Sequence, residues 1–185
     1  MIRVLVLALC VVAGPATAEP QAFRLDTERS RVTFTFQFMQ GQRRGTMPVR
    51  SADMALDLRD IGASRVNVTL DPTRARAGFI FATQAMKSAR VLDTARHPAI
   101  TFRSTSVNGT LQEARVTGDL TVRGVTRPVT LQAGLYRQRG SDPSDLDTLT
   151  VLLTGAIDRR AFGADGYPGY VGPRIGLRIV AHIER

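Results

Sequence analysis

The chain is poor in the residue types that stabilise many small exported proteins or bind metal ions. Among its 185 residues there are no tryptophans, one cysteine and two histidines. The cysteine, Cys10, lies in an N-terminal apolar run, so the remainder of the chain cannot form a disulfide within itself. His97 and His182 are far apart in the sequence, and no other ligand pattern accompanies them. We therefore predict no metal site.

Motifs that carry catalysis are also missing from the sequence. There is no G-x-S-x-G nucleophile turn and no glycine-rich phosphate loop. The carboxylates are placed at turns and on polar strand faces, and no pair of them is spaced for general acid–base work. The sequence therefore predicts a protein that is not an enzyme.

Only one long apolar run occurs, and it lies at the N-terminus. Arg3 precedes an apolar stretch over residues 4–12, and Ala16-Thr17-Ala18 forms an A-x-A cleavage signal. The run is shorter than the roughly 20 residues that a membrane-spanning helix needs. We predict a secretory signal peptide over residues 1–18 and one exported domain over residues 19–185.

Lysine is nearly absent, yet the chain is basic. Lys87 is the one lysine among 25 basic residues, and the formal net charge is +9. The arginines are scattered and form no runs, which is typical of solvated surface side chains. The alternative is attraction to an anionic membrane surface or to an anionic ligand head group. No nucleic-acid-binding motif is present, so we expect no nucleic-acid partner.

Alternation of apolar and polar residues is the dominant pattern. Val32, Phe34, Phe36 and Phe38 alternate with polar residues, and similar patterns recur to the C-terminus. This period of two predicts eight or nine half-buried strands. Residues 73–95 lack it, and a short helix is predicted there, over residues 82–90. Because this helix cannot cover a sheet, the apolar faces must cover one another, in a sandwich or in a closed barrel.

Two turns are predicted from local signals. Asn108-Gly109 is typical of a two-residue hairpin turn. Residues 116–131 read as two strands, with Gly124 and Pro128 bracketing the reversal and Pro128 starting the second strand. Val116, Gly118, Leu120 and Val122 would then share one face of the first strand.

The candidate ligand-binding residues are apolar. An eight-stranded barrel is either filled by its own side chains or holds one slender ligand, and the periodicity does not choose between these alternatives. If a pocket exists, the strand phenylalanines and the 79–92 segment should line it, with Phe162, Tyr167 and Tyr170 at its rim. The candidate lipid-binding residues are Phe34, Phe36, Phe38, Met47, Phe79, Phe81, Met86, Val91, Leu92, Ile100, Phe102, Phe162, Tyr167 and Tyr170.

Several segments resemble a known family. The stretch GDLTVRGVTRPVTL (residues 118–131) resembles the central hairpin of the YceI-like family, and LDTARHPAITF (residues 92–102) is similar to a second motif. Ile157-Asp158-Arg159 and Phe162-Gly163 resemble a late I-x-R-x-x-F-G motif, in which Ala161 replaces the usual acid. Arg29 and Gln37 stand where the family commonly has histidine.

The resemblance implies an all-β fold and a function. The expected fold is an extended, lipocalin-like barrel of eight antiparallel strands with a short helical insertion. The expected function is periplasmic binding of an isoprenoid lipid or isoprenoid quinone in an apolar channel, with no other cofactor. Apart from the resemblance, transient contact with a membrane surface is a further expectation, and so is a homodimer that forms along an exposed strand edge or through the non-strand insertion. A filled barrel with a structural role and an enzyme of quinone metabolism are the alternatives.

Overall fold

The computed structural model describes residues 20–137, 142 and 146–185. The predicted signal peptide and most of the loop at 138–145 lie outside these residues. Nine strands and one α-helix follow in chain order. They are β1 (Gln21–Phe38), β2 (Gly41–Met47), β3 (Val49–Leu56), β4 (Arg65–Leu70), α1 (Ile80–Lys87), β5 (Ile100–Gly109), β6 (Ala114–Val122), β7 (Val125–Arg137), β8 (Thr148–Asp158) and β9 (Val171–Glu184).

The strands form one closed barrel. Each strand from β3 to β9 pairs antiparallel with the next, and β9 pairs with β1 to close the sheet. Strands β2 and β3 both pair with β1 and are separated only by Pro48, so they act as one interrupted strand. With β2 and β3 counted as one strand, the barrel has eight strands. This confirms the predicted lipocalin-like barrel and excludes the sandwich.

The predicted alternation decides which side chains point inward. In β6 the inward row Val116, Gly118, Leu120 and Val122 is buried, as predicted. The intervening side chains face outward, where Thr117 pairs with Thr130 through their hydroxyls at 3.0 Å. Strand β1 is longer than the predicted run, because the register shift between Asp26 and Arg31 carries it past a polar stretch without ending its pairing with β9.

Both predicted turn positions need correction. Asn108 and Gly109 are the last residues of β5, and the chain reverses over the next four residues, where the Thr110 N–H donates to the Glu113 carbonyl. This later reversal places Leu111 against the interior of the barrel. The second reversal occurs at Arg123-Gly124, both with left-handed backbone angles.

Pro128 lies within β7 instead of starting it, opposite Asp119 of β6. From the turn, hydrogen-bonded and non-hydrogen-bonded pairs alternate, so the nitrogen of Pro128 points away from β6. On its other side, the pairing of β7 with β8 begins only at Gln132. No ladder hydrogen bond is lost, because the proline occupies a locally unpaired edge.

The insertion between β4 and β5 crosses one end of the barrel. Helix α1 begins two residues before the predicted start and ends three residues earlier than predicted. The Thr83 hydroxyl accepts the Ala77 N–H and donates to the Phe79 carbonyl, which fixes the first turn. Ser88 ends the helix by donating its N–H to the Gln84 carbonyl. Three short 3₁₀ turns, Ile61–Ala63, Pro72–Arg74 and Arg159–Phe162, were not predicted.

Candidate ligand channel

The barrel contains an apolar cavity of about 530 Å³. This volume lies within the range of about 300–1,000 Å³ that small-molecule sites occupy. Every barrel strand and α1 contribute side chains to its wall, and few of these are polar. All fourteen candidate lipid-binding residues line the cavity. The barrel is therefore not filled by its own side chains, whereas the binding role of these residues stays a prediction.

Glycines set two phenylalanine rings against the barrel wall. Phe34 of β1 pairs with Gly45 of β2, and a Cβ at Gly45 would lie 2.1 Å from the Phe34 ring. Gly118 of β6 likewise leaves room for the Phe102 ring, which would lie 2.5 Å from a Cβ there. Because each ring uses the space of a missing side chain, the lumen beside it remains open. The space that these two glycines leave for the rings was not predicted, although a glycine that faces an aromatic residue across two strands is a usable signal in the sequence.

Helix α1 covers one end of the cavity, which we call the mouth. Ala82, Ala85 and Met86 face the cavity from the helix. The Phe79 ring packs edge-on against Phe38, with centroids 5.5 Å apart. The β1–β2 turn joins the same end, since the Met39 N–H donates to the Tyr170 carbonyl at 2.8 Å. The mouth is thus bounded by α1, by this turn and by the loop that precedes β9.

The loop before β9 is organised by a buried arginine, Arg159. Its guanidinium donates to the carbonyls of Val171, Gly172, Gly166 and Ala164, the first three at 2.8, 3.0 and 2.8 Å. Burial lowers the pKa of Arg159, while the nearby carboxylates of Asp165 and Asp158 oppose this shift. No role was predicted for this side chain beyond its place in the family motif. Its position makes it the anchor of the loop that bears Tyr167 and Tyr170.

A second arginine holds the segment after α1. Arg123, in the β6–β7 turn, donates to the carbonyls of Ala89 and Val91. These bonds keep Val91 and Leu92 against the cavity. Phe162 was predicted at the rim, but it is buried with Ile100 in a core cluster against which Leu92 packs. The aromatic and aliphatic residues predicted from separate motifs therefore meet at one end of the barrel.

The opposite end of the barrel is closed by a tight cluster of side chains. Phe23, Met54, Leu149, Ala181 and Ile183 are buried together, and Leu149 has no exposed surface. The loop below them turns on Asp57, which accepts the N–H groups of Arg59 and Asp60. These two backbone hydrogen bonds lower the pKa of Asp57. We call this region the closed end.

The described part of the chain holds no cluster of metal-binding side chains. Within residues 20–137, 142 and 146–185, no three or more histidine, cysteine or acidic side chains come together as metal ligands. The polar groups on the cavity wall include Arg159 and Asp57, which are engaged by the backbone as described above. Within the same residues, no helix is long and apolar enough to cross a membrane.

Comparisons with known proteins agree with this architecture. The model of the YceI-like domain matches residues 23–183. Protein YceI of Escherichia coli O157:H7 is 36% identical over 132 residues, which cover 71% of this chain and 69% of that protein.

Two solved structures are similar in fold. BcnA of Burkholderia cenocepacia superposes with a TM-score of 0.75 at 19% identity, covering 85% of this chain and 98% of that one. A polyisoprenoid-binding domain from Saccharophagus degradans gives a TM-score of 0.63 at 12% identity, covering 88% and 98%. The match of the family model over nearly the whole barrel, together with the identity to the Escherichia coli protein, shows that this chain belongs to the YceI-like family.

Proposed function

We propose that this protein is a periplasmic carrier that holds an isoprenoid lipid, either a polyprenyl chain or an isoprenoid quinone. The observation that carries the proposal is the apolar cavity of about 530 Å³ inside the barrel. Such a wall stabilises a hydrocarbon tail by roughly 0.8 kcal/mol for each buried CH₂ group, before the entropy of ordering the tail is subtracted.

The distribution of polar groups suggests how the ligand is oriented. Aliphatic side chains such as Val116, Leu131 and Leu153 line the wall away from the mouth. Tyrosine hydroxyls and the Arg90 guanidinium, which lies 5.9 Å from the Tyr167 ring centre, are at the mouth. An amphiphile therefore fits best with its tail inside and its head group at the mouth. The name of the Saccharophagus degradans domain supports an isoprenoid tail.

Binding is a better match to this cavity than catalysis is. Few polar side chains line the channel, and two of them, Arg159 and Asp57, are already engaged by backbone groups, which leaves little of the chemistry that catalysis needs. The predicted signal peptide over residues 1–18 and the family resemblance support the proposed periplasmic location. A carrier in that compartment would shield an insoluble tail from water between membranes.

Native mass spectrometry of the mature protein, purified from the periplasm, tests the proposal. We expect a stoichiometric adduct whose organic extract contains a polyprenyl lipid or an isoprenoid quinone. A mass without any adduct, unchanged after incubation with such lipids, would contradict the carrier function.

Matched variants of strand β3 test the position of the ligand. Ala52 lines the cavity, whereas Ala55, on the same strand, faces outward. Ala52→Phe should reduce the bound lipid or select shorter tails, because the new ring fills part of the channel. Ala55→Phe should retain the wild-type lipid. Equal lipid content and tail length in both variants would place the ligand elsewhere.

A further inference from the structure

The two ends of the barrel differ in their exposed apolar side chains. Seven large apolar residues are exposed in the described structure, and five of them surround the mouth. We call these five the mouth rim: Met39, Phe79, Ile80, Phe81 and Tyr170. They come from the β1–β2 turn, the start of α1 and the loop before β9, which adjoin one another.

The cavity does not account for all of the mouth rim. Ile80 and Met39 are 66% and 63% exposed, and neither lines the cavity. Met39 also has a left-handed backbone, with φ of 53°. A side chain other than Gly, Asn or Asp is disfavoured in that conformation by roughly 1 kcal/mol. The cavity thus leaves Ile80 and Met39 unexplained, and adjoining exposed apolar side chains of this kind mark an interaction surface.

Charge is also distributed unevenly between the two ends of the barrel. The segments at the mouth contain 13 basic residues and 4 acidic ones. These segments are 36–50, 70–100, 121–130 and 156–176. The segments at the closed end contain 7 basic residues and 9 acidic ones. These segments are 20–30, 51–65, 104–117, 131–137, 146–155 and 179–185, together with residue 142. Nearly all of the excess positive charge is thus at the mouth.

The few acidic groups at the mouth already face arginines. Asp71 pairs with Arg50 and Asp158 with Arg160, at 3.4 and 2.7 Å. Asp93 lies 3.8 Å from an arginine, and Asp165 interacts electrostatically with the buried Arg159.

Other arginines at this end have no acidic partner. Arg43 and Arg44, beside the β1–β2 turn, are exposed. Within the part of the chain that the structure describes, no carboxylate lies at ion-pairing distance from either of them. Their charges are available to an external partner.

We propose that the mouth rim and its surrounding arginines dock the barrel on an anionic lipid bilayer. Exposed Ile, Phe, Met and Tyr side chains enter the interface between head groups and acyl chains, while arginines beside them meet the lipid phosphates. This orientation places the mouth against the membrane, so a lipid tail could enter the channel without crossing water. The inference rests on the proposed carrier function for its purpose, whereas the docking itself can be measured separately.

Sedimentation with vesicles tests the docking. The mature protein is mixed with vesicles of phosphatidylglycerol and phosphatidylcholine in equal amounts, or with vesicles of phosphatidylcholine alone. We expect binding to the anionic vesicles that weakens at high salt, since salt screens the arginines. Binding that is equal for both compositions and insensitive to salt, or no binding to either, would overturn the proposal.

Paired variants locate the surface. Ile80→Ser and Met39→Ser should each weaken vesicle binding by about tenfold, because each removes an inserted apolar side chain. Arg43→Gln and Arg44→Gln should each weaken it by about fivefold. The matched controls are Tyr136→Ser and Arg65→Gln at the closed end, which should bind like the wild type. Equal losses at both ends would overturn the docking geometry.

Two further measurements separate the alternatives. The bound lipid of each variant is measured by native mass spectrometry, because Ile80 and Met39 do not line the cavity and should leave it loaded. Vesicle binding by a protein that never holds a lipid would support the docking and contradict the carrier function. Light scattering reports on self-association: a wild-type dimer that becomes a monomer in Ile80→Ser, without vesicle binding, would assign the mouth rim to a second copy of the chain.

Discussion

The closed end and the mouth of this barrel are built from similar apolar residues that are used in opposite ways. At the closed end, Phe23, Leu149 and Ile183 are packed together and almost wholly buried. At the mouth, Phe81 is 75% exposed and Ile80 nearly as much. Burial of apolar surface is the main favourable term in folding. The closed end therefore contributes to stability, whereas the mouth leaves apolar surface exposed, which the proposed ligand and membrane contacts would bury.

Polar groups differ between the two ends as well. At the closed end, backbone N–H groups converge on the Asp57 carboxylate. At the mouth, backbone carbonyls converge on the Arg159 guanidinium. Both arrangements provide hydrogen-bond partners for backbone groups of a loop that are not paired within the sheet. The arrangement around Arg159 lies under the loop that borders the cavity. The two ends of the barrel are thus held in shape by buried groups of opposite charge.

The largest expected effect is a loss of stability at the closed end. Leu149→Ala should reduce the free energy of unfolding by about 3 kcal/mol, because it removes a fully buried side chain and leaves a cavity. Urea unfolding measures the change. Leu152→Ala, on the outer face of the same strand, should cost about 1 kcal/mol or less. If Leu149→Ala lowers the free energy of unfolding by less than Leu152→Ala does, the closed end is not the stabilising one.

An intermediate effect is expected at the loop that borders the mouth. Arg159→Lys should reduce the free energy of unfolding by about 2 kcal/mol, since an ammonium cannot reach the several carbonyls that the guanidinium contacts. Hydrogen exchange should accelerate over residues 163–172 and remain unchanged in β3 and β4. Arg174→Lys, an exposed change on the neighbouring strand, serves as the control. Uniform acceleration throughout the barrel would mean that Arg159 supports the whole fold and not the mouth alone.

The smallest effect depends on pH. Hydrogen bonds from the Arg160 side chain and, to a smaller extent, from its backbone N–H lower the pKa of Asp158 from 3.8 to about 2. A carboxyl whose pKa is lowered by folding stabilises the protein above its unfolded pKa, and this contribution is lost as pH falls through the folded value. Asp158→Asn should therefore lower Tm slightly near neutral pH, and the difference should shrink as pH falls and vanish only below about pH 2. A Tm difference that does not shrink over this range would have a cause other than the charge.

Local patterns were sufficient to predict most of the strands. The inward row of β6, the phenylalanine row of β1 and the last strand follow from alternation, because the side chains of a strand point to opposite faces whatever its partners. The family motifs selected the barrel over the sandwich. Turn positions were predicted less well: Asn108-Gly109 has the right residues for a turn, but pairing with β6 continues through both of them.

The candidate ligand residues were predicted from their apolar character and from the resemblance, and all of them line the cavity. The roles of Gly45, Gly118 and Arg159 were not predicted. Each depends on a neighbour that alternation within one strand does not identify: the Phe34 and Phe102 rings for the glycines, and four carbonyls of the following loop for the arginine. Hydrophobicity alone cannot reveal which inward side chains lie flat against the wall.

The amino-acid sequence by itself determined the number of strands, the face that each one buries and the absence of recognisable catalytic motifs. These are properties of residues two or a few positions apart, which local backbone geometry translates directly into structure. Only the tertiary structure decided that the barrel has an open interior, that one end is closed, and that apolar and basic residues collect at the other. Those features depend on how distant strands close around a common axis, so they arise only when the whole sheet is assembled.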